Sequence, residues 1–213
     1  MNVAAAPPAR PRAVRVDLLL IADMIGANAR VLDVGCGDGA LLEHLARTKA
    51  VDGRGIELSQ GDVKECVSRG LAVIQGDADE DLADYPSGAF DYVVLSQTLQ
   101  ATRNPRRVLE EMVRIGARAI VSFPNYGHWR VRWQLLLRGR MPETDILPER
   151  WHESPNIHPC TIRDFIALCD ELGIAIERQI FADRKGRTSL GGANRRLANL
   201  LAEQGLFALR RAR

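Results

Sequence analysis

Apolar residues along the chain recur at two spacings, and the two alternate. Val16 to Ile25 is apolar at helical spacing up to the break at Gly26-Ala27-Asn28, and Arg30 to Val34 follows as a short apolar strand. Arg54 to Leu58 and Ala72 to Gln75 read as second and third strands, with a helix across Gln60 to Ser68 between them. Phe90 to Ser96, with its paired valines, is a fourth. Asn104-Pro105 then supplies an N-cap and a first-turn proline to a helix whose apolar face is Val108, Leu109, Met112 and Val113. A fifth strand, Ala119 to Phe123, ends at Pro124-Asn125. Farther on, Thr161 with Asp164 forms a capping pair before the stripe Ile162, Phe165, Ile166, Cys169 and Leu172, and Cys160 stands at N′ facing Phe165 as a hydrophobic staple. Such alternation predicts an α/β fold, a mostly parallel sheet with helices on both faces, that binds ligands at the carboxyl ends of its strands.

The first strand carries the most specific chemistry. Val31-Leu-Asp-Val-Gly-Cys-Gly-Asp-Gly39 runs into three glycines and a helix expected to begin near Asp38. Gly35, Gly37 and Gly39 let the backbone turn sharply and lie against a ligand, and the helix start points unpaired N–H groups at the same place. Cys36 within the turn reads as a small filler. Gly35-x-Gly37-x-x-Ala40 also satisfies a dinucleotide pattern, so the glycines alone do not choose the cofactor. Asp33 and the third glycine favour S-adenosylmethionine (SAM), whose amino acid head gives the Asp33 carboxylate an ammonium group to accept from. The expected architecture is therefore a Rossmann-like class I SAM-dependent methyltransferase fold.

The other strand ends fit that expectation. Glu57 closes the second strand, before Leu58, and its carboxylate suits two ribose hydroxyls. Asp77, between Gly76 and Ala78, follows the third and suits the adenine amine, while Ser96 and Gln97 end the fourth, where the methionine part would lie. Taken singly, Glu57 and Asp77 are ordinary turn or cap residues. Taken together with the glycine turn, in this order along one sheet, they describe a site for SAM or S-adenosylhomocysteine (SAH).

At 213 residues and 46% hydrophobic, the chain is long enough for one domain, expected over 14–213 after a loose Ala/Pro/Arg tail at 1–13. No 18-residue apolar run or secretory signal is present, and four irregularly spaced cysteines suit a reducing cytoplasm, so no membrane partner is expected. The net charge of +2 gives no reason to expect nucleic acid, but it is unevenly placed. Residues 1–102 carry 9 Lys+Arg against 15 Asp+Glu, a net of −6, and the remainder carries 20 against 12, a net of +8. His152, His158, Cys160 and Cys169 fit no metal-ligand spacing, and no metal is expected.

Catalytic groups are harder to find. No Gly-x-Ser-x-Gly elbow exists for acyl transfer, and the fourth strand ends in Ser96-Gln97-Thr98-Leu99 rather than an Asn-Pro-Pro-aromatic run. Tyr126 and His128 are the candidates nearest a methyl acceptor, with His128 as base, although a role in loop structure suits both. From Asn125 to Arg140, Trp129, Trp133, Leu136 and Leu137 fall at i, i+4, i+7 and i+8 among Arg130, Arg132, Arg138 and Arg140. That basic amphipathic helix reads first as a core-facing stripe, then as a docking surface, then as a membrane-surface element.

Several of these segments together resemble the methionine-biosynthesis MetW family of small methyltransferase-like proteins. The resemblance covers Arg15 to Asp183 and rests on Arg30–Gly39, Phe90–Gln100, Phe123-Pro-Asn-Tyr-Gly-His-Trp129, Gly139-Arg-Met-Pro142, Pro155-Asn-Ile-His158 and Thr161-Ile-Arg-Asp-Phe165. Beyond Asp183 the match is poor. It implies a SAM- or SAH-binding accessory subunit that activates homoserine O-acyltransferase (MetX), the partner carrying the acetyl or succinyl transfer chemistry. The cofactor positions it implies are Asp33, Gly35, Gly37, Gly39, Glu57 and Asp77, and the helix or the Pro155–His158 loop would dock on the partner. The alternative is an active methyltransferase acting on a small metabolite.

Overall fold

Seven strands form one sheet in the order β3-β2-β1-β4-β5-β7-β6. The computed structural model describes residues 15–144, 147–183, 185–187 and 195–212, so the expected tail at 1–13 and its boundary lie outside the described residues. Strands β1 (Arg30–Val34), β2 (Asp52–Glu57), β3 (Ala72–Gln75), β4 (Phe90–Ser96) and β5 (Gly116–Pro124) are parallel. Sequence periodicity located all five; the second starts earlier than expected, leaving Leu58 beyond its end, and the fifth extends at both ends. Two strands it did not locate, β6 (Ile174–Ala182) and β7 (Gln204–Arg211), close the sheet. β7 runs antiparallel to both β5 and β6 and lies between them.

Strand alternation sorts the core onto the two faces. Leu32, Val34, Val93 and Leu95 face α4 (Pro105–Ile115) and α6 (Ile162–Glu171), whereas Val31, Val94 and Ile120 face α1 (Val16–Ala22) and α2 (Ala40–Lys49). α3 (Gln60–Ser68) adds Cys66 to a small cluster with Cys36, Leu42 and Val73. Phe165 lies 4.8 Å from Phe123 and 4.7 Å from Phe207, ring centre to ring centre, and so joins α6 to β5 and β7. The expected caps are made: Asn104 accepts from the Arg107 N–H, and Thr161 and Asp164 form a reciprocal capping box. Cys160 packs on the α6 core as the staple predicts and also accepts from Gln100 Nε2 at 3.2 Å.

Register brings the functional ends together. Val34 lies beside Ile56 and Leu95, Glu57 beside Gln75, and Ser96 beside Ser122, so the carboxyl ends of the parallel strands share one edge.

Candidate functional site

The turn after β1 demands glycine for two different reasons. Gly35, Gly37 and Gly39 all have positive φ, at 67°, 53° and 74°. A Cβ on Gly39 would meet Leu71 Cδ1 at 2.5 Å and Cys66 Sγ at 2.9 Å, whereas one on Gly37 would meet nothing within 4 Å. Gly39 is thus required by packing, and Gly37 stands at the open side of the turn. The helix begins at Ala40 rather than near Asp38, with Gly39 as its N-cap. Cys36 turns its side chain back against Leu42, Cys66 and Val73, and burial raises its thiol well above the ordinary range.

Asp33 lies beside this turn, 2% exposed, with Oδ1 buried and without a hydrogen-bond partner. Burial pushes its carboxyl up to about 7; the Arg15 guanidinium opposes that rise, and Glu57 adds to it. Glu57 is bound to the same turn: its Oε2 accepts from the Gly37 N–H at 2.8 Å and its Oε1 from the Ser59 N–H at 2.9 Å. Leu58 is 66% exposed beside it. After β3, the Gly76 N–H donates to the Glu57 carbonyl at 3.0 Å, and Ala78 packs on the core. Asp77 accepts from the Asp79 N–H at 2.9 Å and from Arg103 Nη2 at 2.7 Å.

Four residues of this region escaped the sequence reading. Arg103 reaches Asp77, Asp79 and Glu80 from the segment before α4, tying the loop after β3 to the loop after β4. Arg15 pairs with Asp17 at 3.0 Å and donates to Ser96 Oγ at 3.1 Å, and Ser122 Oγ is 3.3 Å from Ser96 Oγ. Only Asp17 left a signal, as an acid four residues before the buried Ile21 on the apolar face of α1. Next to Ser96, Gln97 holds φ 60°, donates its N–H to the Ser122 carbonyl at 2.8 Å and its Nε2 to Gln204 Oε1 at 3.3 Å.

Gln97 also opens onto a cavity of about 780 Å³, walled by Asp17, Tyr126, Met141, Trp151 and Asn156. Burial pushes the Tyr126 hydroxyl up, while hydrogen bonding to Asn156 and Ser154 draws it back. His128 does not stand beside it in this wall. It is 3% exposed and serves as the N-cap of α5 (Trp129–Arg138), its Nδ1 accepting from the Arg130 N–H at 3.4 Å. Of the two roles open to His128, base or loop structure, the geometry shows the structural one, a helix cap, and burial lowers its pKa.

The expected core-facing stripe on α5 is also overturned. Val131 is its one buried residue, while Trp129, Trp133, Leu136 and Leu137 are 45%, 56%, 75% and 64% exposed. Among the described residues no three His, Cys, Asp or Glu side chains gather to hold a metal, and no helix is long and apolar enough to cross a membrane.

The family model for methionine biosynthesis protein MetW matches residues 15–209. The chain belongs to the MetW family. The match continues past Asp183, where the sequence resemblance fades, and takes in most of β7. A MetW-family relative is the bifunctional methionine biosynthesis protein MetXA/MetW of Rhodopirellula baltica, 34% identical over 79% of this chain and 28% of that protein. Ajmaline N-methyltransferase of Rauvolfia serpentina is 35% identical over 41% of the chain and 32% of its own length. This chain thus spans about a third or less of the length of those relatives. Among solved structures, a TehB-like SAM-dependent methyltransferase from Corynebacterium glutamicum superposes with a TM-score of 0.61 at 17% identity, covering 94% of this chain and 89% of the other. The MetW-family chain has the class I SAM-dependent methyltransferase fold.

Proposed function

We propose that this chain is a SAM- or SAH-binding accessory subunit that activates a MetX-type homoserine O-acyltransferase in methionine biosynthesis. The observation that carries the reading is the relative whose single chain bears both names, MetXA and MetW. A covalent tether holds two domains at an effective concentration on the order of millimolar, which favours parts that act together. The present chain has no serine elbow of its own, so acyl transfer falls to the partner.

The residues suit the cofactor. A ligand ammonium would give the buried Asp33 Oδ1 the partner it lacks. Gly35, Gly37 and Gly39, with the Cys36 backbone, would follow the ligand's amino acid end. Glu57 would take the ribose hydroxyls, with Leu58, Gly76 and Ala78 beside the adenine and Asp77 accepting its amine. Each carboxylate oxygen of Glu57 and Asp77 keeps a further lone pair beyond the backbone and Arg103 bonds described above. Ser96 and Gln97 would flank the methionine chain. SAM, when bound, supplies an electrophilic methyl group, and SAH the same scaffold without it.

The deciding experiment is homoserine acylation by the same organism's acyltransferase with and without this chain. A several-fold rise in rate is expected, and an unchanged rate would overturn the accessory role. The second reading is methyl transfer to a small metabolite. The cavity beside Gln97 and Tyr126 favours it, and SAH release with homoserine, its acyl esters or homocysteine would report it.

A further inference from the structure

α5 leaves its large apolar residues uncovered. In α4 the apolar residues Val108, Leu109, Met112 and Ile115 are buried and the charged ones lie outside, as a helix on a sheet requires. In α5 that separation is missing: Val131 alone is buried, and the stripe Trp129, Trp133, Leu136 and Leu137 is turned to solvent together with the arginines, with Leu135 and Met141 48% and 50% exposed beside it. The helix is nevertheless firmly set. His128 caps its first turn, Gly139 at φ 57° ends it, and Arg132 Nε donates to the Gly127 carbonyl at 2.6 Å.

Charge narrows what covers this face. Between Trp129 and Pro142 there are four arginines and no acid, and among the described residues none of Arg130, Arg132, Arg138 and Arg140 has a carboxylate partner. By contrast Arg103, Arg106, Arg114 and Arg118 are all paired. Arg130 stacks over the Trp129 ring at 5.5 Å, so cation and aromatic face are offered together. Tryptophan and arginine dominate the energetic centres of protein interfaces. The Pro155–His158 loop is a poorer candidate because His158 is already spent on the protein, its N–H on the Gln100 carbonyl at 2.9 Å and its Nε2 on the Arg103 carbonyl at 3.1 Å.

We infer that the outward face of α5 is the surface that docks on the acyltransferase, seating its tryptophan–leucine stripe in an apolar groove rimmed by carboxylates. The inference rests on the accessory reading above and adds the interface. It is tested with the full chain and the purified acyltransferase by titration calorimetry and acylation rate, using Trp133→Glu with Leu136→Glu, the milder pair Trp129→Ala with Trp133→Ala, and Arg138→Glu with Arg140→Glu. All replace exposed side chains, and circular dichroism and melting report the fold. Each apolar pair is expected to weaken the complex at least about tenfold and to remove stimulation, with melting and SAM affinity unchanged. The arginine pair should lower the association rate and flatten its salt dependence. Affinity within twofold of the parent for a folded apolar pair overturns the assignment while leaving the accessory role standing. Absence of any complex with the parent chain overturns both. Loss of self-association, or of binding to phosphatidylglycerol vesicles, with acyltransferase affinity unchanged would assign the face to a second copy or to a lipid surface and overturn it equally.

Discussion

At the scale of single residues, Asp33 is held at a cost that a ligand can remove. Its folded carboxyl titrates at about 7, above its ordinary value of 3.8, so the folded state retains a proton that the unfolded chain releases. Stability from this group is therefore full below about pH 4 and falls as pH rises towards 7, at no more than about 1.4 kcal/mol per pH unit. Asp33→Asn should flatten that part of the stability profile, as denaturant midpoints measured between pH 4 and 7 would show. In the parent, pairing with a ligand ammonium should expel the proton, so SAM affinity should rise over the same range, with proton release seen in calorimetry across buffers of different ionisation enthalpy. Glu57→Ala should weaken SAM binding by about one to two powers of ten through lost hydrogen bonds to ribose. Glu57→Gln, which keeps one acceptor oxygen for the turn, separates that loss from loosening around Gly37. Asp33 and Glu57 were legible because strand ends and glycines mark them in order. Arg15 and Arg103 were not, because each acts on groups from distant segments: Arg15 on Ser96, Arg103 on the acids at 77–80.

At the scale of elements, local chemistry set the helix ends that the sequence announced. In the Thr161–Asp164 box the Thr161 N–H donates to Asp164 Oδ2 at 3.0 Å and the Asp164 N–H to Thr161 Oγ1 at 3.3 Å. Thr161→Ala should therefore cost about 1 kcal/mol in chemical unfolding, since α6 carries Phe165 into the aromatic centre of the core. α5 shows the limit of the same method. A periodicity of apolar residues states that a helix has two unlike faces, and only the position of its neighbours states which one is covered. β6 escaped detection because Glu177, Arg178 and Gln179 interrupt its apolar run and its pairing slips between Ile176 and Arg178. β7 lies past the residues that carried the resemblance, and the charge-free run of six at its start is too short to distinguish a strand from a buried turn of helix.

At the scale of the whole molecule, the parallel half of the sheet was readable because each new strand joins a free edge of the ladder, β2 and β3 outward on one side of β1 and β4 and β5 outward on the other. The order β5-β7-β6 breaks that rule, and no local signal encodes an insertion between two earlier neighbours. The break has a consequence during synthesis. β5 presents an open backbone edge until residues 204–211 arrive, and those lie 80 residues beyond Pro124. At roughly 5 to 20 residues per second, that edge waits on the order of 4 to 16 seconds on the ribosome, with Ile120, Val121 and Phe123 beside unpaired N–H and C=O groups. Such an edge recruits other nascent chains. Translation speed between Pro124 and Arg211, and the chaperones present there, thus become determinants of how much folded protein a cell obtains.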